Sequence, residues 1–274
     1  MSEVFARGCL PPSADVRDYT LARSAVSSKL PIAYTTQFSP RVKNQGSVNS
    51  CVAHATSSIL EYHETNDGGD VKLSTNFIYG IQKQISGYAG QGMYLRDACK
   101  IANKYGDMLE SDCPGNDEVP SAHLIAEEAV KDSHKTEVAS YYKISSYVRL
   151  NNNDDIKYAI MNYGPVLVSV KWYNTFKCDK DGVLRGEQKG DAGHHAIMLY
   201  GWNATGFLAQ NSWGTNWGEK GRFILPYEIP VAEAWQFIDA EHNDVVKPKR
   251  TPFLDIIYKI ANFFVNIFIK IFKQ

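Results

Sequence analysis

The pattern of apolar residues changes character past the middle of this chain, and that change restricts the available folds more than any other feature. Before Gly164-Pro165, apolar side chains recur every three or four positions. This spacing predicts a helix that Ser50 caps, with apolar Val52, Ala53, Ala55, Ile59 and Leu60, and further helices over 74–84, 94–105, 122–132 and 154–162. After Gly164-Pro165, short runs at 166–170, 195–200, 206–210 and 221–225 are rich in β-branched and aromatic residues and predict strands. Helices first and strands afterwards imply an α+β architecture of two lobes, with the cleft between them as the natural site. The helical lobe is expected over about 45–140 and the β lobe over about 141–240, within a domain of residues 31–240.

The flanking text differs. Residues 1–30 alternate prolines and charges around Cys9-Leu10-Pro11-Pro12 without either periodicity, so they are expected to form an extended leader lying over or beside the cleft. Residues 241–252 form a basic linker containing Lys247-Pro248-Lys249-Arg250. In the 253–274 segment, Asp255, Lys259, Asn262, Asn266 and Lys270 recur every three or four positions among apolar residues. That is an amphipathic helix with one narrow polar stripe, suited to a membrane surface or to self-association; a lysine and two asparagines near its middle make spanning a bilayer expensive.

Lysine plus arginine (29) nearly balance aspartate plus glutamate (30), so the summed charge gives no general attraction for nucleic acid. No apolar run follows a basic start at the N-terminus, so no signal peptide is seen and a cytoplasmic or host-intracellular location is expected, peripheral to a membrane if the tail binds one. Mostly reduced thiols are expected among the five cysteines, Cys9, Cys51, Cys99, Cys113 and Cys178.

Of these, Cys51 stands in the first turn of a predicted helix, where unpaired N–H groups and the helix dipole favour a thiolate. The surrounding text, Val42-Lys43-Asn44-Gln45-Gly46-Ser47-Val48-Asn49-Ser50-Cys51-Val52-Ala53, resembles the nucleophile segment of the papain-like cysteine peptidases. Gly193-His194-His195-Ala196-Ile197 places His195 144 positions after Cys51, and Asn211-Ser212-Trp213-Gly214-Thr215-Asn216-Trp217-Gly218 places Asn211 160 positions after it. Gly164-Pro165-Val166 and Gly92-Met93-Tyr94-Leu95-Arg96-Asp97-Ala98 agree in order as well. The resemblance covers roughly residues 30–230.

It implies a papain-like two-lobe fold and a peptidase working through a thioester, of the short-leader bacterial or viral kind. Cys51 would be the nucleophile, His195 its base and later the acid, and Asn211 the residue that fixes the imidazole, under the ring of Trp213. The Gln45 amide and the Cys51 backbone N–H would hold the oxyanion. Gly92, Met93, Ala196 and Trp217 would bind a peptide or protein substrate, with an apolar preference in the pocket that includes Ala196. No cofactor or metal is implied. His194 is expected at the cleft rim, because neighbours on a strand face opposite ways. His54 is expected to be a buried helix residue, since no cluster with zinc-like spacing accompanies it.

The sequence departs from the family at Val48, where many secreted members carry a disulfide cysteine, and at Asn49 and Val52, which replace a glycine and a tryptophan. None of these removes a catalytic atom. Two other readings remain open on sequence alone: a papain-like binding module without chemistry, and a membrane-acting protein whose C-terminal helix is the effector.

Overall fold

A computed structural model describes residues 6–12, 15, 18–21, 30–37, 40–66, 70–86, 90–114 and 122–239, with backbone only for 83–86 and 122–125. The chain divides into two units, Met1–Ala240 and Glu241–Gln274. The second unit, on which the predicted basic linker and amphipathic helix fall, lies outside the described residues.

In the first unit the helices are α1 (Cys51–Asn66), α2 (Thr75–Ser86), α3 (Leu95–Lys104), α4 (Ala122–Lys131), α5 (Ser133–Ser140) and α6 (Asn153–Tyr163). The strands are β1 (Tyr34–Thr35), β2 (Ile144–Arg149), β3 (Val166–Tyr173), β4 (Lys177–Cys178), β5 (Leu184–Arg185), β6 (Ala192–Trp202), β7 (Gly206–Gln210), β8 (Arg222–Pro226) and β9 (Val231–Asp239). Seven strands make one antiparallel sheet in the order β2-β9-β3-β6-β7-β8, with β1 also on β6; β4 and β5 form a separate hairpin. This is the predicted α+β plan.

Helix α1 is the axis of the helical part. Its first fourteen residues are all buried, polar ones included, so it is covered on every side rather than amphipathic. The predicted serine cap does not form: Ser50 Oγ has no hydrogen-bond partner, and the Ser50 carbonyl instead accepts from the His54 backbone N–H at 3.1 Å. Helix α6 does have its cap, the Asn152 side chain accepting from the Asp155 N–H at 2.8 Å, and it stops at Gly164, whose φ is +95°. A Cβ at Gly164 would meet Tyr62 Cε1 at 2.6 Å, so packing as well as backbone conformation favours glycine there.

The sheet separates two apolar clusters by strand alternation. Leu167, Ala196, Met198, Trp235 and Phe237 face helices α1 to α3, while Val166, Val168, Val170, Ile197, Leu199 and Ala234 face the opposite way, toward Phe207, Phe223 and α6. This alternation fixes which side chains of β6 reach each side.

Six elements escaped the sequence pattern, three of them the two-residue strands β1, β4 and β5 and the others α5, β2 and β9. Helix α5 carries only Val138 and Ala139 as buried residues, too few for a visible period, and is started by Asp132, which accepts from the N–H groups of His134 and Lys135. Strand β2 has only Ile144 fully buried. Strand β9 lies inside the sheet, yet Glu233 and Gln236 interrupt its apolar text. Both are buried and partnered locally, Glu233 Oε1 accepting from Trp235 Nε1 at 2.8 Å and Gln236 Nε2 donating to the Phe237 carbonyl at 2.8 Å.

Candidate active site

Two loop segments are laced together before any reactive group is placed. The Gln45 N–H donates to the Ser212 carbonyl at 2.8 Å and the Gly214 N–H to the Lys43 carbonyl at 3.0 Å, so residues 43–45 run beside 212–214. Gln45 is fully buried, and its Oε1 accepts from Ser212 Oγ at 2.6 Å. That bond orients the amide and turns Nε2 outward, where it donates to the carbonyls of Val48 at 2.8 Å and Ala6 at 3.1 Å.

Cys51 opens α1 with no exposed surface. Its sulfur accepts from the Gly8 N–H at 3.3 Å and from the Ala196 N–H of β6 at 3.5 Å. The second contact brings the helix start against the strand that carries His195. On that strand His195 and His194 face opposite ways, as alternation requires. His195 Nε2 lies 2.8 Å from Asn211 Oδ1, which also accepts from the Ser212 N–H at 2.8 Å; His194 Nδ1 lies 3.4 Å from Ser169 Oγ.

Because a carboxamide oxygen only accepts, His195 Nε2 carries the hydrogen, and in the neutral ring Nδ1 is left as a base. Nδ1 is buried and has no hydrogen-bond partner. Trp213 stacks over the imidazole with ring centroids 4.5 Å apart, and Trp172 meets it edge-on at 5.2 Å. These rings keep water from the His195–Asn211 bond. The four residues that sequence reasoning singled out are therefore gathered at one place by α1, β6 and two laced loops.

Burial governs the charge state of this closed site. It pushes the Cys51 thiol up, against the backbone N–H groups of Ala196, Gly8, Val52 and Cys51 itself, which favour the thiolate. It pulls His195 down to about 4, with Asn211 acting the other way and nearby Arg7 and His54 adding to the fall. The thiol and the imidazole are both neutral near pH 7 while covered.

What covers them is the leader. The Met93 N–H donates to the Gly8 carbonyl at 2.8 Å and the Leu10 N–H to the Met93 carbonyl at 3.0 Å, which sets Cys9 in a parallel bridge with Met93 and an antiparallel one with His194. The Ala6 carbonyl also accepts from Trp213 Nε1 at 3.3 Å, and Arg7 Nη1 donates to the Trp172 carbonyl at 2.8 Å. Further along, Asp18 is clasped by Arg96 and by Arg149 Nη1 at 3.2 Å. The sequence raised the expectation of a leader near the cleft; the partners Trp172, Arg96 and Arg149 carried no local signal for it, because only the folded chain brings them to residues 7 and 18.

Among the predicted substrate-binding positions, Met93 is thus occupied on both backbone groups, and Gly92 has φ +92° beside Gly8. Ala196 is buried against the sulfur, and Trp217 packs edge-on to Trp213 at 5.1 Å. His54 is buried with Nδ1 2.9 Å from the Ser50 carbonyl. Among the described residues, no group of three His, Cys, Asp or Glu side chains is arranged to hold a metal ion. All five cysteines are free thiols.

Xylellain, a cysteine protease from Xylella fastidiosa, superposes with a TM-score of 0.73 and 25% identity, covering 86% of this chain and 97% of that one. Cathepsin B-like cysteine proteinase 3 of Caenorhabditis elegans is 26% identical over 253 residues, or 82% of this chain and 65% of that protein. Ananain of Ananas comosus is 29% identical over 197 residues, or 69% of this chain and 52% of that protein. The chain spans about half to two thirds of the length of the curated relatives it matches. Residues 34–229, which contain Gln45, Cys51, His195 and Asn211, match the model of the papain family cysteine proteases, and the chain belongs to that family.

Proposed function

We propose that the chain is a latent cysteine peptidase that hydrolyses peptide bonds in peptide or protein substrates once its leader leaves the cleft. One observation carries the reading: the Cys51 sulfur at the tip of α1 lies against the Ala196 N–H, immediately after a His195 whose Nε2 is held by Asn211 and whose Nδ1 has no other partner.

In the open form Cys51 loses its proton to His195 Nδ1 and attacks the scissile carbonyl carbon as a thiolate. The oxyanion is held by Gln45 Nε2 and the Cys51 N–H. As it collapses to a thioester, His195 protonates the leaving amine; a water deprotonated by the same imidazole then attacks the thioester and regenerates the thiol. Asn211 keeps the ring in the required tautomer throughout. Met93 grips the substrate backbone with the two groups that now hold the leader, and Gly92, Ala196 and Trp217 line the approach.

Latency follows from what the leader offers the sulfur. Gly8 presents an N–H, which has no electrophilic carbon, so the sulfur is capped without being given a bond to cleave. The likeness to xylellain, a cysteine protease of Xylella fastidiosa, supports placing the chain with bacterial members of the family.

Covalent labelling of Cys51 by a peptide-like epoxide at neutral pH tests the proposal. Labelling of Cys51 alone, faster in a chain lacking residues 1–30 and absent in Cys51→Ala, is the expected result. A folded protein that labels in neither form would instead be a binding module.

A further inference from the structure

We infer that the buried ion pair between Lys43 and Glu61 holds Gln45 in register with the Cys51 N–H, by tying the segment that carries one oxyanion donor to the helix that carries the other. The inference rests on the catalytic reading of Gln45, Cys51, His195 and Asn211 and adds Lys43 to it as a positioning residue.

The two donors belong to different parts of the chain. The Cys51 N–H is fixed by the start of α1, whereas Gln45 is laced to residues 212–214. Residues 46–50, which connect them, are neither helix nor strand. An oxyanion is stabilised only when both donors lie about 2.7–3.1 Å from the place where its charge develops. Segment 43–45 must therefore be set against α1 as well as against 212–214.

Lys43 makes both connections. Its carbonyl accepts from the Gly214 N–H at 3.0 Å, while its Nζ lies 3.0 Å from Glu61 Oε1 and donates to the Leu73 carbonyl at 3.3 Å. The Leu73 N–H donates to the same Glu61 oxygen at 2.9 Å, which closes a ring of three residues. Glu61 stands on α1 ten residues beyond Cys51, or about 15 Å along one helix. Arg41 also reaches Glu61 Oε1, at 3.2 Å, but its side chain is 37% exposed and shared with Glu110, against 5% for Lys43 and 4% for Glu61. Solvent weakens the exposed contact, so the buried one is the fixed point.

A buried ion pair adds little stability over apolar side chains of similar volume. It does demand one geometry, because the ammonium must meet a carboxylate oxygen and a carbonyl together. Placing Gln45 requires that kind of constraint, a fixed direction and distance rather than adhesion alone.

The test uses the full chain, assayed for hydrolysis of a fluorogenic peptide and for epoxide labelling of Cys51 at neutral pH. Both readouts need the leader out of the cleft, so their ratio does not depend on how often it leaves. Opening of an epoxide forms no acyl oxyanion, so only hydrolysis draws on the two donors. Lys43→Met should lower the ratio of hydrolysis to labelling roughly tenfold to a hundredfold, as expected for a displaced reacting group, with labelling itself unchanged. In a Gln45→Ala chain the same substitution should lower the ratio no further, because the donor it positions is gone. A folded Lys43→Met protein with the wild-type ratio, or one whose hydrolysis and labelling fall together, overturns the inference. So does a full further loss beside Gln45→Ala. If Lys43→Met does not fold, Lys43→Met with Glu61→Gln replaces it under the same expectations, since the amide oxygen can still accept from the Leu73 N–H and no buried charge is left. A wild-type protein that labels neither with nor without its leader refutes the catalytic reading instead. Crystal structures of the wild type and the variant then judge this inference, by whether the Gln45 amide moves relative to the Cys51 N–H.

Discussion

The backbone N–H of Gly8 is directed at the sulfur of Cys51 from 3.3 Å, and an added Cβ on Gly8 would lie 1.8 Å from the Asn49 carbonyl oxygen. The leader passes the Cys51 sulfur at a distance only glycine tolerates, because the obstacle is backbone and cannot swing away. Gly8→Ala should therefore expel the leader locally while leaving the β6 and α1 scaffold intact. The expected outcome is labelling of Cys51 approaching that of the chain lacking residues 1–30, measured by mass spectrometry of the intact protein. Labelling as slow as in the wild type would show that Gly8 does not control access.

A second hold on the leader is electrostatic. The Asp18 and Arg96 side chains are 9% and 11% exposed, so their ion pair is largely buried, and Arg149 shares the same carboxylate. Removing one member of a buried pair leaves an uncompensated charge and costs on the order of 3 kcal/mol. Asp18→Asn is expected to raise the rate of limited proteolysis within residues 1–30 and to speed Cys51 labelling. Unchanged proteolysis would assign the leader's hold to its backbone bonds alone.

The two ends of the site should separate in kinetics. Gln45→Ala removes a donor whose interaction matters only as charge develops on the oxyanion, so a leader-free chain should lose on the order of a hundredfold to a thousandfold in kcat with KM little changed. Asn211→Ala frees the imidazole to rotate and change tautomer, so its loss in kcat should come with an altered pH profile. Fluorogenic peptide hydrolysis between pH 4 and 9 distinguishes the two patterns.

Acid should loosen the leader. His195 is held at about 4 when covered, against an ordinary 6.5. Above pH 6.5 neither the covered nor the open form takes up a proton from solvent at His195, since transfer from Cys51 leaves the proton count unchanged, and closure has its full stability. As pH falls from 6.5 toward 4, only the open form takes up the proton, so closure weakens progressively, by up to a few kcal/mol. Burial holds the Glu233 carboxyl above its ordinary value, which acts in the opposite sense, and Glu233→Gln removes that contribution. Hydrogen exchange of residues 6–12 should accelerate across this window and more steeply in Glu233→Gln; a flat profile in both would show that His195 does not couple to leader release.

How much of this was written in the sequence follows from how local each cause is. Helices α1, α2, α3 and α6 and strands β3, β6, β7 and β8 have apolar periods that survive without neighbours, so their positions were legible within a few residues. Gln45, Cys51, His195 and Asn211 were legible as candidates because their motifs follow one another at a characteristic spacing. Strand β9 was not, because Glu233 and Gln236 are tolerated inside the sheet only through partners that the folded chain supplies. The Ser50 side chain, read as a cap, makes no hydrogen bond in the fold.

The sequence by itself determined the two-part architecture and the helix-tip cysteine, since each depends on the order and period of side chains along one stretch. Tertiary structure decided that the Cys51 thiol and the His195 imidazole are neutral in the closed form. A helix start favours a thiolate, but desolvation depends on what lies above the sulfur, and only folding brings Gly8 there.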